Sequence, residues 1–327
     1  MPGSALIKKI LAVIPPRVGG RAISAPLVGL FGGAAEVTVV ETTDEDKAAL
    51  GQAHVIFTSL GPVTAEHISA APALEFIQCA SHGFDYVDLE AARSRGVVVC
   101  NIGSSRAELQ DVAEQTFALM LALAKQLIPG HAALTQADWA LPRLQRHITE
   151  LSAKTLGIVG FGHIGQEVAR RAAAFDMDIV YADPQVVPAE IDNLRQARRV
   201  DLEELLRISD YITLHAPLTD ETRHLINAER LALVKPTAFI INTARGALID
   251  QDALADGLET SRIAGAGVDV FDPEPPTAAL RLLRAPNVVL SPHVGGVTRE
   301  TLGRIATVAV SNIREHLAGN APVDVVS

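Results

Sequence analysis

Short apolar runs closed by turn-forming residues alternate with segments of helical spacing along nearly the whole chain. In the first hundred residues these runs are Ile10–Ile14, Val37–Val40, Val55–Thr58, Phe76–Cys79 and Val97–Cys100, with helical spacing at Ala65–Ala70 and Leu89–Arg95 between them. An unbroken apolar run, rather than a polar–apolar alternation, is what a strand buried on both faces looks like. Strands of that kind separated by helices predict parallel sheets joined by crossover helices. A second series begins at Thr155, with runs at Leu156–Val159, Ile179–Ala182, Tyr211–Leu214, Phe239–Ile241, Gly265–Val268 and Val288–Leu290. The fold class expected is α/β, with two Rossmann-like, doubly wound parallel-sheet domains.

Between the two series, Ala107–Gln126 has helical spacing and carries Leu109, Val112, Ala113, Thr116, Phe117, Met120 and Leu123 on nearly one face. Pro129-Gly130 is expected to stop this helix, and an irregular basic patch with Arg143, Arg146 and His147 follows. The chain ends in a helical run, Arg299–Leu317.

A length of 327 residues suits two domains. Hydrophobic residues make up 48% while aromatics make up only 4%, so the cores are built mainly from Ala, Val, Leu and Ile. There are 28 basic and 38 acidic residues, a net charge of −10, and no basic block, which argues against affinity for nucleic acid or an anionic membrane. The longest apolar stretch, Phe117–Ala124, falls far short of the ~20 residues that span a bilayer. Ile10–Ile14 is too short for a secretory signal core. Cys79 and Cys100 form neither a disulfide framework nor a metal-ligand pattern. The expectation is a soluble cytoplasmic protein without a bound metal.

The second series opens on a strand running into Gly160-Phe-Gly162-His163-Ile164-Gly165 and then a helix, read as Gln166–Phe175. In this G-x-G-x-x-G turn the first glycine allows the tight bend, the second lets backbone approach a pyrophosphate, and the third lets helix and strand pack closely. The helix start then offers N–H groups and a positive dipole end to phosphate. A second strand ends at Asp183, 23 residues after Gly160, where a carboxylate suits ribose hydroxyls. No Arg adjoins Asp183-Pro-Gln185 to take a 2′-phosphate, so NAD is expected over NADP. A turn-forming Asp before Pro is the alternative reading of Asp183.

Three further segments close predicted strands: Asn242-Thr-Ala-Arg245-Gly246, Asp269-Val-Phe-Asp-Pro-Glu274, and Ser291-Pro-His293-Val-Gly295-Gly296. Together with GFGHIG and HAPLTDETRHLIN, these motifs resemble the D-isomer-specific 2-hydroxyacid dehydrogenases, from about Phe76 to the C-terminus. The resemblance implies that Arg245 grips the substrate carboxylate and polarises the reacting carbonyl, a task suited to a planar fork of donors. It implies that His293 is the acid in ketone reduction and the base in alcohol oxidation, and that Glu274 orients the ring and stabilises its charged form. Asp269 matches the acid that meets the nicotinamide carboxamide, with a strand-end cap as the alternative. His215, Ala216, Pro217, Thr243, Ala244 and Gly295 line the cofactor in relatives. Ser81-His82-Gly83 aligns with a turn whose backbone amides hold the substrate carboxylate; His82 is either a substrate contact or a surface histidine.

The resemblance also implies a substrate-binding, flavodoxin-like domain of residues 1–103 and 296–327, an inserted NAD-binding domain of residues 104–295, and an active site in the cleft between them. It implies a homodimer, for which the apolar face of Ala107–Gln126 is the candidate interface. The substrate class implied is a small 2-keto or D-2-hydroxy acid. Phosphoglycerate is disfavoured because no basic residue lies between Lys47 and Arg93, around the Thr58–Pro62 loop where phosphoglycerate enzymes carry one. Formate oxidation is disfavoured because Glu274 stands where formate dehydrogenases have Gln, while phosphite oxidation uses the same three residues. An NAD-sensing corepressor on the same fold is the alternative from a different functional class.

Overall fold

The computed structural model describes residues 7–31, 33, 35–103, 105–185 and 197–326. The chain divides into two compact units, Met1–Ala107 with Arg299–Ser327, and Glu108–Thr298. The sequence placed these boundaries at 103/104 and 295/296; Ser104 itself lies outside the described residues.

In the first unit, β1 (Lys9–Val13), α1 (Ser24–Phe31), β2 (Glu36–Val40), α2 (Lys47–Gln52), β3 (Val55–Thr58), α3 (Ala65–Ala70), β4 (Phe76–Cys79), α4 (Leu89–Ser94) and β5 (Val98–Cys100) follow one another. The sheet order is β2-β1-β3-β4-β5, all parallel. β3 and β4 are buried throughout, which is why they read as unbroken apolar runs. Asp46 and Asp88 start α2 and α4 by accepting N–H bonds from Ala49 and Ala91. The C-terminal helix Arg299–Leu317 returns to this unit and buries Ile305, Ala309, Val310 and Ile313 with Ile10, Val55 and Phe76.

The second unit begins with α5 (Leu109–Ala124), α6 (Leu127–Leu134) and α7 (Leu141–Leu144). There follow β6 (Thr155–Val159), α8 (His163–Ala173), β7 (Asp178–Ala182), β8 (Ala197–Arg199), α9 (Leu202–Ile208), β9 (Tyr211–Leu214), α10 (Ala228–Leu231), β10 (Phe239–Asn242), α11 (Gln251–Glu259), β11 (Gly265–Val268) and β12 (Val288–Leu290). The parallel sheet runs β12-β11-β10-β9-β6-β7-β8. The protein is therefore α/β with two all-parallel sheets, of 5 and 7 strands.

Each sheet has a point where the winding direction reverses, between β1 and β3 in the first and between β6 and β9 in the second. Crevices outside the carboxyl ends of such strands are where open α/β sheets bind ligands.

Several local readings change. α5 ends at Ala124, two residues before the Gln126 read from the sequence, and Pro129-Gly130 is not what stops it. It ends because Gln126 takes a left-handed conformation (φ 51°) and its side-chain amide donates to the Leu123 carbonyl at 3.0 Å. α6 then leaves at 61° and contains Pro129 in its first turn, where a missing N–H costs no helical bond. The basic patch holds the short helix α7, and Arg143 pairs with Asp138 at 2.6 Å. α8 begins at His163, three residues earlier than the sequence reading of Gln166. The apolar face of α5 is covered by its own unit: Phe117, Leu119, Met120 and Leu123 are buried against Leu156, Ile158, Val168 and Phe239. Gly267 on β11 makes this possible, since a Cβ there would stand 2.8 Å from Leu119 Cβ. Among the described residues no single helix is long and apolar enough to cross a membrane.

Candidate active site

The glycine-rich turn after β6 has three glycines in three different surroundings. Gly160 has φ 89°, and a Cβ on it would lie 2.6 Å from the Ala216 backbone nitrogen. The β6 turn can thus sit against the His215-Ala216-Pro217 segment only as glycine. A Cβ on Gly165 would lie 2.3 Å from the Gly160 carbonyl oxygen, so the third glycine closes helix onto turn. Gly162 has nothing within 4 Å of such an atom and caps α8, whose first turn is His163, Ile164 and Gly165. An open backbone at a helix N-terminus suits the pyrophosphate of a dinucleotide.

Asp183, at the end of β7, turns its carboxylate toward this loop. Its Oδ2 accepts the Phe161 N–H at 2.7 Å and its Oδ1 accepts the Gln185 N–H at 2.8 Å. Phe161 is buried and stacks on Tyr181 with ring centroids 4.0 Å apart, which fixes the base of the turn. β8, a strand that sequence reasoning missed, brings Arg199 in as well. Its Nη2 donates to the Asp183 carbonyl at 2.7 Å. At the end of β9, His215 Nε2 lies 2.9 Å from Thr213 Oγ1, and desolvation holds its imidazole down to about 3, so it is neutral across the physiological range.

At the end of β10 the buried side chain of Asn242 shapes the turn that carries Arg245. Its amide donates to the Arg245 carbonyl at 2.8 Å and its oxygen accepts the Ala244 N–H at 3.0 Å. Gly246 allows this turn to meet the next one, because a Cβ there would be 2.1 Å from the Phe271 carbonyl carbon. Thr243 is buried with its hydroxyl 3.0 Å from that of Thr116 on α5. The half-buried Arg245 donates from Nη1 to the Ala244 carbonyl at 2.8 Å.

The loops after β11 and β12 bring Glu274 and His293 together. Glu274 Oε1 accepts the Phe271 N–H at 3.0 Å, which leaves Oε2 facing His293 Nδ1 at 2.7 Å. His293 has φ 53°, a left-handed conformation uncommon for a residue with a Cβ. Asp269 explains how it is held. This fully buried carboxylate accepts the Ser291 hydroxyl at 2.5 Å, the Val294 N–H at 3.0 Å and the Gly295 N–H at 2.8 Å. Its carbonyl accepts the His293 N–H at 2.7 Å. A Cβ on Gly295 would lie 2.9 Å from Asp269 Oδ2, so glycine is what lets the carboxylate reach that amide. Asn242, Gln115 and Ser291 are parts of this framework that the motif reading passed over.

In the first unit, the Ser81-His82-Gly83 turn closes β4. The Ser81 hydroxyl lies 2.7 Å from the Gly83 carbonyl and 2.8 Å from the Tyr86 hydroxyl, and the Asn101 amide donates to the His82 carbonyl at 2.8 Å. The Ser81 side chain thus holds the turn's shape. The loop after β3 is less neutral than its sequence implied, because Arg17, from the loop after β1, donates from Nη2 to the Leu60 carbonyl at 2.6 Å.

Comparison with known proteins shows the family to which this chain is related. The family model for the NAD binding domain of the D-isomer specific 2-hydroxyacid dehydrogenases matches residues 117–295. A hydroxypyruvate reductase of Thermotoga maritima is 40% identical over 265 residues, covering 80% of this chain and 84% of the relative. A D-3-phosphoglycerate dehydrogenase of Mycobacterium tuberculosis is 39% identical over 303 residues, 92% of this chain but only 56% of the relative. Among solved structures, D-lactate dehydrogenase from Aquifex aeolicus complexed with NAD and lactic acid superposes with a TM-score of 0.85 at 29% identity, over 96% of each chain. The second unit is an NAD-binding domain, and the chain belongs to the D-isomer-specific 2-hydroxyacid dehydrogenases, a family of oxidoreductases.

Proposed function

We propose that this enzyme interconverts a small 2-keto acid and the corresponding D-2-hydroxy acid, with Arg245, Glu274 and His293 as its reacting machinery. The observation that carries the reading is the 2.7 Å approach of His293 Nδ1 to Glu274 Oε2. With Nδ1 committed to the carboxylate, Nε2 is the nitrogen that gives a proton to the carbonyl oxygen in reduction and takes it from the hydroxyl in oxidation. Arg245 supplies a rigid fork of N–H donors to the substrate carboxylate and draws charge from the neighbouring carbonyl. Backbone amides of Ser81, His82 and Gly83 in the first unit are the further candidates for substrate binding. The nicotinamide supplies or accepts the hydride when bound.

For the coenzyme, Gly160, Gly162, His163, Ile164 and Gly165 would hold the pyrophosphate and Asp183 the adenosine ribose. His215, Ala216, Pro217, Thr243, Ala244, Asp269 and Gly295 would line the rest of its path. A carboxylate at Asp183 repels a 2′-phosphate, which supports NAD over NADP.

Glyoxylate, hydroxypyruvate and pyruvate are the favoured substrates. Phosphoglycerate oxidation is the second reading, supported by the similarity to a phosphoglycerate dehydrogenase and by Arg17 on the Leu60 carbonyl. Cytoplasmic residence is supported by two cysteines that are free and buried. A homodimer is supported by the exposed apolar side chains of α6, α7 and their connection: Leu127, Ile128, Leu134, Trp139 and Leu141. NADH oxidation with a 2-keto acid, lost on Arg245→Ala, tests the enzymatic reading; coenzyme binding without turnover of any 2-keto acid would favour a binding protein instead.

A further inference from the structure

We infer that two adjacent polar residues of α5, Gln115 and Thr116, form a strut that positions both halves of the reaction, the His293 loop through Ser291 and Asp269, and the Arg245 turn through Thr243. The inference rests on the roles proposed above for His293 and Arg245.

The buried face of α5 is otherwise apolar. Its buried residues include Leu109, Val112, Ala113, Phe117, Leu119 and Met120, so Leu or Val at 115 and 116 would serve packing as well. A buried hydroxyl is costly unless bonded. Thr116 is fully buried, and its hydroxyl donates to the Val112 carbonyl of its own helix at 2.9 Å. That hydrogen is therefore used, and the 3.0 Å contact to Thr243 is one in which the Thr243 hydroxyl donates. Thr243 precedes Ala244-Arg245, so the bond pins the turn that aims the guanidinium.

Gln115 works on the other loop. Its Nε2 donates to Ser291 Oγ at 2.8 Å, and the Ser291 hydroxyl donates to Asp269 Oδ1 at 2.5 Å. The same carboxylate accepts the Val294 and Gly295 N–H groups, so the clamp grips the chain on both sides of His293. A clamp is what a left-handed histidine needs, since such a conformation persists only where its surroundings over-determine it. Neighbouring helix positions project about 100° apart. That lets one turn of α5 reach the ends of β10 and β12, which flank β11 in the sheet. Reacting groups carried by separate loops thus share a single rigid support, which preserves their mutual geometry.

The test uses the full-length enzyme with NADH and its best 2-keto acid. Gln115→Leu and Ser291→Ala should each lower kcat by about 10- to 100-fold with KM within about twofold, because only the proton-transfer geometry is loosened. Thr116→Val should raise KM for the 2-keto acid by about tenfold with a smaller change in kcat, because the carboxylate grip is loosened. Ser291→Thr and Thr116→Ser should restore most of each loss, and the losses in kcat or KM should exceed, and not follow, any change in NADH affinity or thermal midpoint. Arg245→Ala and His293→Ala are the controls. If they keep turnover, the functional assignment fails. If they abolish it while Gln115→Leu, Thr116→Val and Ser291→Ala keep wild-type kcat and KM, the strut is overturned. Losses that track a falling thermal midpoint and resist both conservative replacements would overturn it as well.

Discussion

His293 Nδ1 and Glu274 Oε2 stand 2.7 Å apart, with the two side chains 26% and 18% exposed. Partial shielding strengthens this contact relative to a surface pair, and the Phe271 amide on the other carboxylate oxygen fixes its direction. Glu274→Gln keeps the shape and one hydrogen bond but removes the charge that stabilises a protonated ring. The expected outcome is a drop in kcat/KM for 2-keto acid reduction of about 100-fold, with NADH affinity unchanged. Steady-state kinetics beside a fluorescence titration of NADH check it.

Coenzyme choice should turn on Asp183. Its carboxylate faces the glycine turn, while Arg199 is anchored on its carbonyl at 2.7 Å. Wild-type enzyme is expected to prefer NADH. Asp183→Ser should narrow the NADH/NADPH ratio of kcat/KM by about tenfold or more, because it removes a repelling charge and leaves a cation close by. An unchanged ratio would show that Asp183 does not contact the ribose.

Arg17 separates the two substrate readings. With the favoured small acids, Arg17→Ala should leave kcat/KM for glyoxylate within about twofold, since a substrate of that size has no distal anion to bind. A wild-type preference for phosphohydroxypyruvate that this substitution abolishes would move the assignment to phosphoglycerate.

His215 predicts how the coenzyme-free protein responds to acid. Burial holds the folded-state imidazole down to about 3 from an ordinary 6.5. Below about 6.5 the unfolded chain takes up a proton that the folded chain refuses, so stability falls as the pH drops toward 3. His316, also lowered by burial, acts in the same direction. His215→Asn should therefore reduce, without abolishing, the loss of thermal midpoint between pH 7 and pH 5, as scanning calorimetry would measure it.

Most of the architecture is legible in the sequence because strands buried on both faces leave unbroken apolar runs. Tyr211–Leu214 and Gly265–Val268 are read to the residue. β8 escapes because Ala197-Arg-Arg199 is a half-exposed edge strand with no apolar signal. The cause of the α5 stop escapes because Gln126 does the work usually given to glycine, while the visible Pro-Gly pair lies where a helix tolerates it. The candidate site is legible where a motif is local, as with the glycines and the segments after strands that carry Arg245, Glu274 and His293. It is illegible where the fold joins distant segments. Gln115 and Ser291 are 176 positions apart, and Arg17 reaches Leu60 across 43. Charge counted along the chain therefore does not register Arg17 beside the Thr58–Pro62 loop.

The proposed reaction is hydride exchange between the coenzyme and a 2-keto acid, with Arg245 holding the carboxylate and His293 moving the proton. Its most direct test is NADH oxidation across a panel of 2-keto acids, with the configuration of each product assigned by chiral chromatography. The expected result is turnover of a small acid such as glyoxylate, hydroxypyruvate or pyruvate, a D product wherever the product is chiral, and loss of at least about 100-fold in kcat/KM for both Arg245→Ala and His293→Ala. An L product, or full turnover by either variant, would contradict it.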